Sequence, residues 1–381
     1  MTNDVPGGRV ILLGATGYTG RLTVEELVAA GCRPVLVGRD PVRLAAMGES
    51  SGGLVTRVVD ITAPGAVEAL RELLRPGDVL ISTVGPFARL GSPAVQAAAR
   101  AGVTYLDSTG EPSFVRRVFE EFGPQAERTG ATLLTAFGYD YVPGNLAAEL
   151  VLRAVTERGG AVARRVRRVE IGYFAVGGVG SAISRGTARS VAGVLGEPVF
   201  GLGGGVLRSE PAALRVAEFV VAGRRRTAVS IGASEHFALP RLHPELSEVD
   251  VYAGWFGAAG RLVHRTALLG IRMPALVRGA RRLAAALAER VPAEPAPDST
   301  AHIAVVAVAR DARGRRLAEV ELRGGNPYRF TARMLSWAAR TALEEGVRGP
   351  GAVGPVEAFG VEPLRRACAD AGLVRVRGVD G

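Results

Sequence analysis

The run Gly14-Ala15-Thr16-Gly17-Tyr18-Thr19-Gly20 is where residue type and spacing first point to chemistry. It follows the apolar run Val10-Ile11-Leu12-Leu13 and leads into a helical pattern that starts near Thr19, runs through Leu22, Leu27 and Val28, and stops at Gly31. Glycines at these positions permit a tight strand-to-helix turn, let backbone N–H groups approach a pyrophosphate, and leave the positive end of the helix facing it. The spacing is G-x-x-G-x-x-G. In this context the segment reads as a nucleotide-binding loop, with a plain packing turn as the alternative. Gly14, Thr16, Gly17, Tyr18, Thr19 and Gly20 are the candidate contacts.

The next apolar strand ends in Val37-Gly38-Arg39-Asp40. A site selective for NAD usually places a carboxylate at such a strand end to hold the ribose 2′-hydroxyl. Here Arg39 stands in that place, and a guanidinium can hold a 2′-phosphate through paired charge-assisted hydrogen bonds, with Arg43 near enough in sequence to assist. NADP(H) is therefore the expected cofactor; the alternative leaves Arg39 in solvent and turns Asp40 toward the ribose. Asp60 ends the third strand, where it either reaches the adenine or caps the following helix. Thr83, Val84, Gly85, Pro86 and Phe87 end the fourth strand in a rigid turn at the carboxyl edge of the sheet, a candidate wall for the nicotinamide or else a strand-ending turn.

Hydride transfer also needs a group that protonates the developing anion. The candidates are Tyr141, Asp140 and Tyr139, in that order, because a loop after a strand end of such a sheet faces the cofactor crevice. The plainer readings are a packed phenol and an Asp140 that caps the helix beginning near Pro143. Asp107 and Glu111 form a second set for which a structural role is expected. All 47 basic residues are arginine, so Walker loops, Schiff-base chemistry and a Tyr-x-x-x-Lys pair are excluded. His236, His243, His264 and His302 lack metal-ligand spacing and read as structural, with His236 and His302 in expected strands. No metal is expected.

The elements that must position these groups follow from the alternation. Strands at 55–59, 79–84, 104–106 and 131–136 are separated by helices at 65–74, 93–101 and 114–128, which predicts an α/β Rossmann-type doubly wound parallel sheet over residues 1–145. Longer alternating strands at 166–175, 214–221, 226–231 and 249–256, with a hairpin pairing 302–310 with 315–322 through Asp311-Ala312-Arg313-Gly314, predict a second mixed α+β domain over 146–330 carrying a largely antiparallel sheet. An arginine-rich amphipathic helix at 274–288 and a proline-rich stretch at 292–297 lie inside it. Residues 331–381 follow as a C-terminal segment.

The quoted segments, together with Tyr105-Leu106-Asp107, Thr109-Gly110-Glu111, Phe137-Gly138-Tyr139-Asp140-Tyr141-Val142-Pro143-Gly144 and Gly186-Thr187 with Ser190, resemble the saccharopine dehydrogenase (saccharopine reductase) NADP-binding family, including its bacterial trans-acting enoyl reductase branch. The resemblance is dense over about the first 145 residues and thin after 200. It departs at Tyr139-Asp140-Tyr141-Val142-Pro143, where the family usually has Phe-Asp-Ser-x-Pro. It implies an NADP(H)-dependent oxidoreductase whose second domain covers the nicotinamide and whose C-terminal segment, residues 331–381, packs back on the first domain. The expected function is NADPH-dependent reduction of an activated C=C of an acyl or polyketide-like metabolite of secondary metabolism, small or carrier-bound. A C=N imine reductase and a non-catalytic NADP-binding protein are the alternatives.

With 381 residues, 48% hydrophobic and 22% charged, the composition is that of an ordinary globular protein. Two cysteines make no disulfide framework. The start of the chain lacks the basic and apolar regions of a secretory leader, and no long uncharged apolar run follows, so a cytoplasmic location without a membrane span is expected. The net charge of +10 comes from scattered arginine groups, such as 164–168, 224–226 and 313–316, so no nucleic-acid partner is expected. The apolar strand faces and residues 283–287 serve core burial or a homodimer interface equally well.

Overall fold

In a computed structural model, the described residues are 7–159, 166–176, 184–194, 197–255, 260–272, 274–292, 294–295 and 302–378. Arg164, Arg165, the end of the strand expected at 249–256 and part of the proline-rich stretch lie outside them. The chain divides into two units. The first comprises Met1–Thr109, Phe114–Gly138 and Thr331–Phe359; the second comprises Gly110–Ser113, Tyr139–Phe330 and Gly360–Gly381.

The first unit is built on a parallel sheet of β1 (Val10–Leu13), β2 (Val35–Gly38), β3 (Thr56–Val58), β4 (Val79–Ser82), β5 (Thr104–Asp107), β6 (Thr132–Leu134) and β15 (Gly351–Ala352), in the order β15-β6-β5-β4-β1-β2-β3. Every residue of β1 and β4 is buried, as a sheet covered on both faces requires, and this is why those strands read as unbroken apolar runs. Leu12 is aligned with Leu36 on one side and Ile81 on the other. The order reverses at β1, so its carboxyl end opens at the switch point where such sheets bind ligands. The outer ends of β1 and β4 are tied by Asp78, 2% exposed. Its carboxylate accepts from the Arg9 N–H at 2.8 Å, Arg9 Nη2 at 2.6 Å and the Arg75 N–H at 3.0 Å. Asp78→Ala strands these donors and is expected to cost about 2–3 kcal/mol, read as a lowered urea midpoint at an unchanged m-value.

The second unit carries β7 (Val166–Val176), β8 (Pro198–Gly203), β9 (Val206–Pro211), β10 (Val216–Val221), β11 (Arg224–Ile231), β12 (Glu248–Ala253), β13 (His302–Asp311), β14 (Arg316–Gly324) and β16 (Val374–Gly378). Their order is β10-β11-β12-β7-β13-β14-β16, with β8 pairing β12 and β9. The sheet is mixed: β12 runs parallel to β7, and the remaining pairs are antiparallel. One face buries Phe174, Phe219, Val221, Tyr252, Val306 and Val308 together. The helix Val142–Glu157 packs on β13, β14 and β7.

Three expectations need correction. His236 lies in the helix Glu235–Leu242, because the polar Ser234-Glu235-His236 run starts a helix after β11 instead of continuing a strand. The β8–β9 hairpin, turning at Gly204-Gly205, has no counterpart in the expected elements; both glycines take positive φ, which a tight turn requires. The C-terminal segment divides. Thr331–Phe359 clusters with the first unit, where Trp337 packs on Phe359 at 4.7 Å between ring centroids, whereas β16 pairs with β14 in the second.

Candidate functional site

The glycine-rich loop begins where β1 ends. Gly14 has φ +87°, and a Cβ there would lie 2.7 Å from both Thr83 Oγ1 and Val84 Cγ2. Gly17 occupies the position before the helix Tyr18–Ala29 and contributes no side-chain cap. The positive end of a helix that starts on a glycine favours an anion. Gly20, buried in the first turn, faces the carbonyls of Gly14 and Ala15 so closely that a Cβ would clash with both. Thr83 closes the other side: its hydroxyl donates toward the Leu13 and Gly14 carbonyls, each at 3.2 Å. This is a cradle that any side chain would fill, and it fits a dinucleotide pyrophosphate.

Around the cradle, Arg43 Nη2 donates to the Thr16 carbonyl at 3.2 Å and Arg21 Nη1 to the same oxygen at 3.3 Å, so two guanidinium groups border the loop. Arg39 is exposed at the end of β2. Asp40 caps the helix Pro41–Ser50, accepting from the Val42 and Arg43 N–H groups at 3.1 Å, which commits it to the backbone. Asp60 accepts from the N–H of Thr62 at 2.9 Å and from its hydroxyl at 2.7 Å. These bonds, and the charge of Arg39 to a smaller extent, hold its carboxyl below the usual range. The cap before the helix Ala66–Leu73 is Gly65, so Asp60 shapes a turn and does not cap that helix. Val84, Gly85 and Pro86 follow β4, with a cis Gly85–Pro86 bond; Phe87 is buried against Phe114 at 5.6 Å between centroids.

Asp107, at the end of β5, is fully buried; its Oδ1 accepts from the Thr109 and Ala136 N–H groups, both at 2.9 Å. It braces Ala136, whose φ of 57° is uncommon for a residue with a side chain. Burial, offset in part by these donors, raises its carboxyl to about 6.

In the second unit, residues 139–141 form the turn into the helix Val142–Glu157, whose cap position is Tyr141 with no side-chain cap bond. Asp140 therefore does not cap this helix. It is half-buried, its Oδ1 is a buried atom with no hydrogen-bond partner, and burial raises its carboxyl to about 7. Gly110 lies against it: a Cβ there would sit 2.7 Å from Asp140 Oδ2. The Asp140–Tyr141 peptide bond is cis. Tyr139 donates to the Phe174 carbonyl at 3.2 Å, and the Tyr141 hydroxyl points at the Gly110 and Gly232 carbonyls, each at 3.2 Å. Both rings meet Tyr173 edge-on, at 5.8 and 5.6 Å. Burial, reinforced by the Asp140 carboxylate, raises both phenols above their usual value. Glu111 accepts from Ser190 at 2.6 Å.

Tyr173 and Glu235 are partners of this turn that sequence reasoning missed. The Tyr173 hydroxyl lies 2.6 Å from Glu235 Oε1 and accepts the Gly144 N–H at 2.9 Å. Tyr173 reads as one aromatic in a strand and Glu235 as an ordinary surface acid; only the packing of β7 against two helices buries them together. Among the histidines, His243 Nε2 meets Glu149 at 2.6 Å, His264 Nδ1 meets the Ala213 carbonyl at 2.8 Å, and buried His236 is pushed down to about 4 by desolvation. His302 is exposed at the start of β13. Among the described residues, no group of three or more His, Cys, Asp or Glu is placed to hold a metal, and no helix is long and apolar enough to cross a membrane.

A parallel sheet with its switch point at β1, a side-chain-free cradle and a flanking arginine at β2 make up a dinucleotide-binding arrangement. Residues 10–134 match the family model of the saccharopine dehydrogenase NADP binding domain. The match includes every cofactor residue named above and ends before the 139–141 turn. The chain is 36% identical over 156 residues to the trans-acting enoyl reductase of Mycobacterium ulcerans, covering 39% of this chain and 37% of that protein. It thus spans a little over a third of the length of the curated relative. The fold is shared with saccharopine dehydrogenase (L-Glu forming) from Saccharomyces cerevisiae, at TM-score 0.63 and 15% identity over 98% of this chain and all of that one. Homospermidine synthase from Legionella pneumophila, solved in complex with NAD, shares it at TM-score 0.64 and 12% identity over 97% and 91% of the two chains.

Proposed function

We propose that the protein is an NADPH-dependent reductase of a conjugated C=C bond in an acyl or polyketide-like substrate, free or bound to a carrier. The observation that carries this reading is the Asp140 carboxyl, an acid with an unpartnered buried oxygen in a turn of tyrosines, in a chain whose other unit is an NADP-binding domain. Such a carboxyl keeps its proton near neutrality and releases it when negative charge develops on a neighbouring atom. The N-terminus of the helix Tyr18–Ala29 and the glycine cradle would hold the pyrophosphate, with Arg39 and Arg43 on the 2′-phosphate. When bound, NADPH supplies hydride to the β-carbon of an enoyl group. Asp140 delivers the proton to the α-carbon, so that the C=C becomes CH–CH, and the carboxylate regains its proton from water. Tyr139 and Tyr141, whose hydroxyls are given to backbone carbonyls, shape the turn and shield Asp140.

The enoyl reductase name of relatives more than a third identical over the aligned region favours C=C over C=N, for which only the fold argues. A surface with 47 arginines and a net charge of +10 suits an acidic carrier. The direct test is nicotinamide absorbance decay with enoyl thioesters, conjugated ketones and preformed imines. Turnover confined to the first two supports the reading, imine turnover alone replaces it, and binding without any turnover makes this a non-catalytic dinucleotide-binding protein. In the same titration, Arg39→Ala is expected to weaken NADPH binding by about 10- to 100-fold while leaving NADH within about twofold, the cost of one charge-assisted phosphate contact.

A further inference from the structure

We propose that Glu235, acting through the Tyr173 hydroxyl, is the positioning residue that fixes the 139–141 turn on the first turn of the helix Val142–Glu157. The inference rests on the reading of Asp140 as the proton donor and names what holds that donor in place.

Glu235 and Ser234 are 0% and 3% exposed, and no ion pair among the described residues reaches Glu235. A carboxyl in that position has to be justified by its hydrogen bonds. Its Oε1 is 2.6 Å from the Tyr173 hydroxyl and its Oε2 is 3.3 Å from the Ser234 hydroxyl. Tyr173 in turn accepts the Gly144 N–H and lies 3.2 Å from the Tyr141 carbonyl. Gly144 is open to this approach only because it lacks a Cβ, which would overlap both the Tyr173 hydroxyl and Glu235 Oε1. A second bond joins the same turn to the same helix start: Asn145 Nδ2 donates to the Tyr141 carbonyl at 3.0 Å and to Ser234 at 3.1 Å.

The protonation of Glu235 sets where the Tyr173 hydroxyl hydrogen points. Tyr173 has one hydroxyl hydrogen and two acceptors within reach, Glu235 Oε1 and the Tyr141 carbonyl. With a neutral Glu235, the carboxyl O–H donates to the Tyr173 oxygen and the phenol hydrogen goes to the Tyr141 carbonyl, so every partner is served. With an ionised Glu235, the phenol hydrogen is drawn to the carboxylate and away from the turn. Tyr173 on β7, Asp140 and Tyr141 on the turn, and Glu111 beyond Tyr141 are the titratable groups that face this cluster. None of them carries positive charge. Burial, with repulsion from Asp140, accordingly raises Glu235 to about 8.

The test uses the full chain with Glu235→Gln, Glu235→Ala and Tyr173→Phe, each read by kcat and KM for an enoyl thioester, NADPH affinity, and hydrogen–deuterium exchange of peptides covering residues 139–145. Glu235→Ala and Tyr173→Phe are expected to lower kcat by about 10- to 100-fold, to speed exchange in 139–145, and to leave NADPH affinity within about twofold. Glu235→Gln, whose amide donates to Tyr173 as the neutral acid does, is expected to recover most of the kcat loss and the slow exchange. Unchanged exchange in Glu235→Ala, or equal defects in the Gln and Ala variants, overturns the proposal. If the wild-type chain turns over no acceptor, the reductase reading fails, and the exchange pattern alone still decides whether Glu235 positions the turn.

Discussion

Asp140→Asn is expected to lower kcat by about 10²- to 10⁴-fold, the range over which a positioned acid accelerates proton transfer, with NADPH affinity unchanged. Asparagine keeps the shape of the side chain and removes only the transferable proton, so a folded, cofactor-binding, inactive variant is the expected product. The pH profile of the wild type separates Asp140 from the tyrosines. A carboxyl that donates must be protonated, and burial raises Asp140 to about 7. kcat/KM should therefore be level below that pH and fall about tenfold per unit above it. Tyr139 and Tyr141 are raised above the ordinary phenol value and stay protonated across that window. A profile level to pH 9 or beyond, in step with an active Asp140→Asn variant, would transfer the role to Tyr141.

Gly20→Ala is expected to have the second-largest effect. A Cβ at that position meets the carbonyl oxygens of Gly14 and Ala15, backbone atoms of the loop after β1 that cannot rotate away as a side chain would. Overpacking of this kind costs about 1–3 kcal/mol, and relief requires the helix to back away from the loop that is to hold the pyrophosphate. NADPH affinity should fall by at least about tenfold together with the melting temperature. For the melting temperature Gly17→Ala is the control, since its Cβ would meet only the Gly14 carbonyl, at 3.3 Å. Equal effects from the two substitutions would show that the loop is not held as described.

How far these features were legible in advance differs by residue. Local sequence was enough for β1 and β4: strands buried on both faces need continuous apolar runs, and glycine spacing after such a run has few physical uses. The place of Arg39, exposed just after β2, was legible for the same reason. Asp40 was ambiguous in sequence. Its neighbours Pro41 and Val42 start a helix, and two backbone N–H groups claim the carboxylate. The 139–141 turn stood out in the sequence by its residue types, but the hydrogen bonds that distinguish its three side chains did not. Tyr141 came first on chemical type, whereas the geometry gives its hydroxyl to two carbonyls and leaves the Asp140 Oδ1 without a partner.

The sequence by itself determined the parallel α/β domain, its glycine cradle, the arginine at the end of β2 and the exclusion of lysine-dependent chemistry, because each depends on residues close together in the chain and on periodicities set by local geometry. Only the tertiary structure decided the division of the C-terminal segment, the parallel pairing of β12 with β7, and the burial of Glu235 against Tyr173 and Gly144. Those depend on contacts between residues far apart in sequence. A carboxyl's protonation follows from its desolvation and its partners, and neither is encoded in its immediate neighbours.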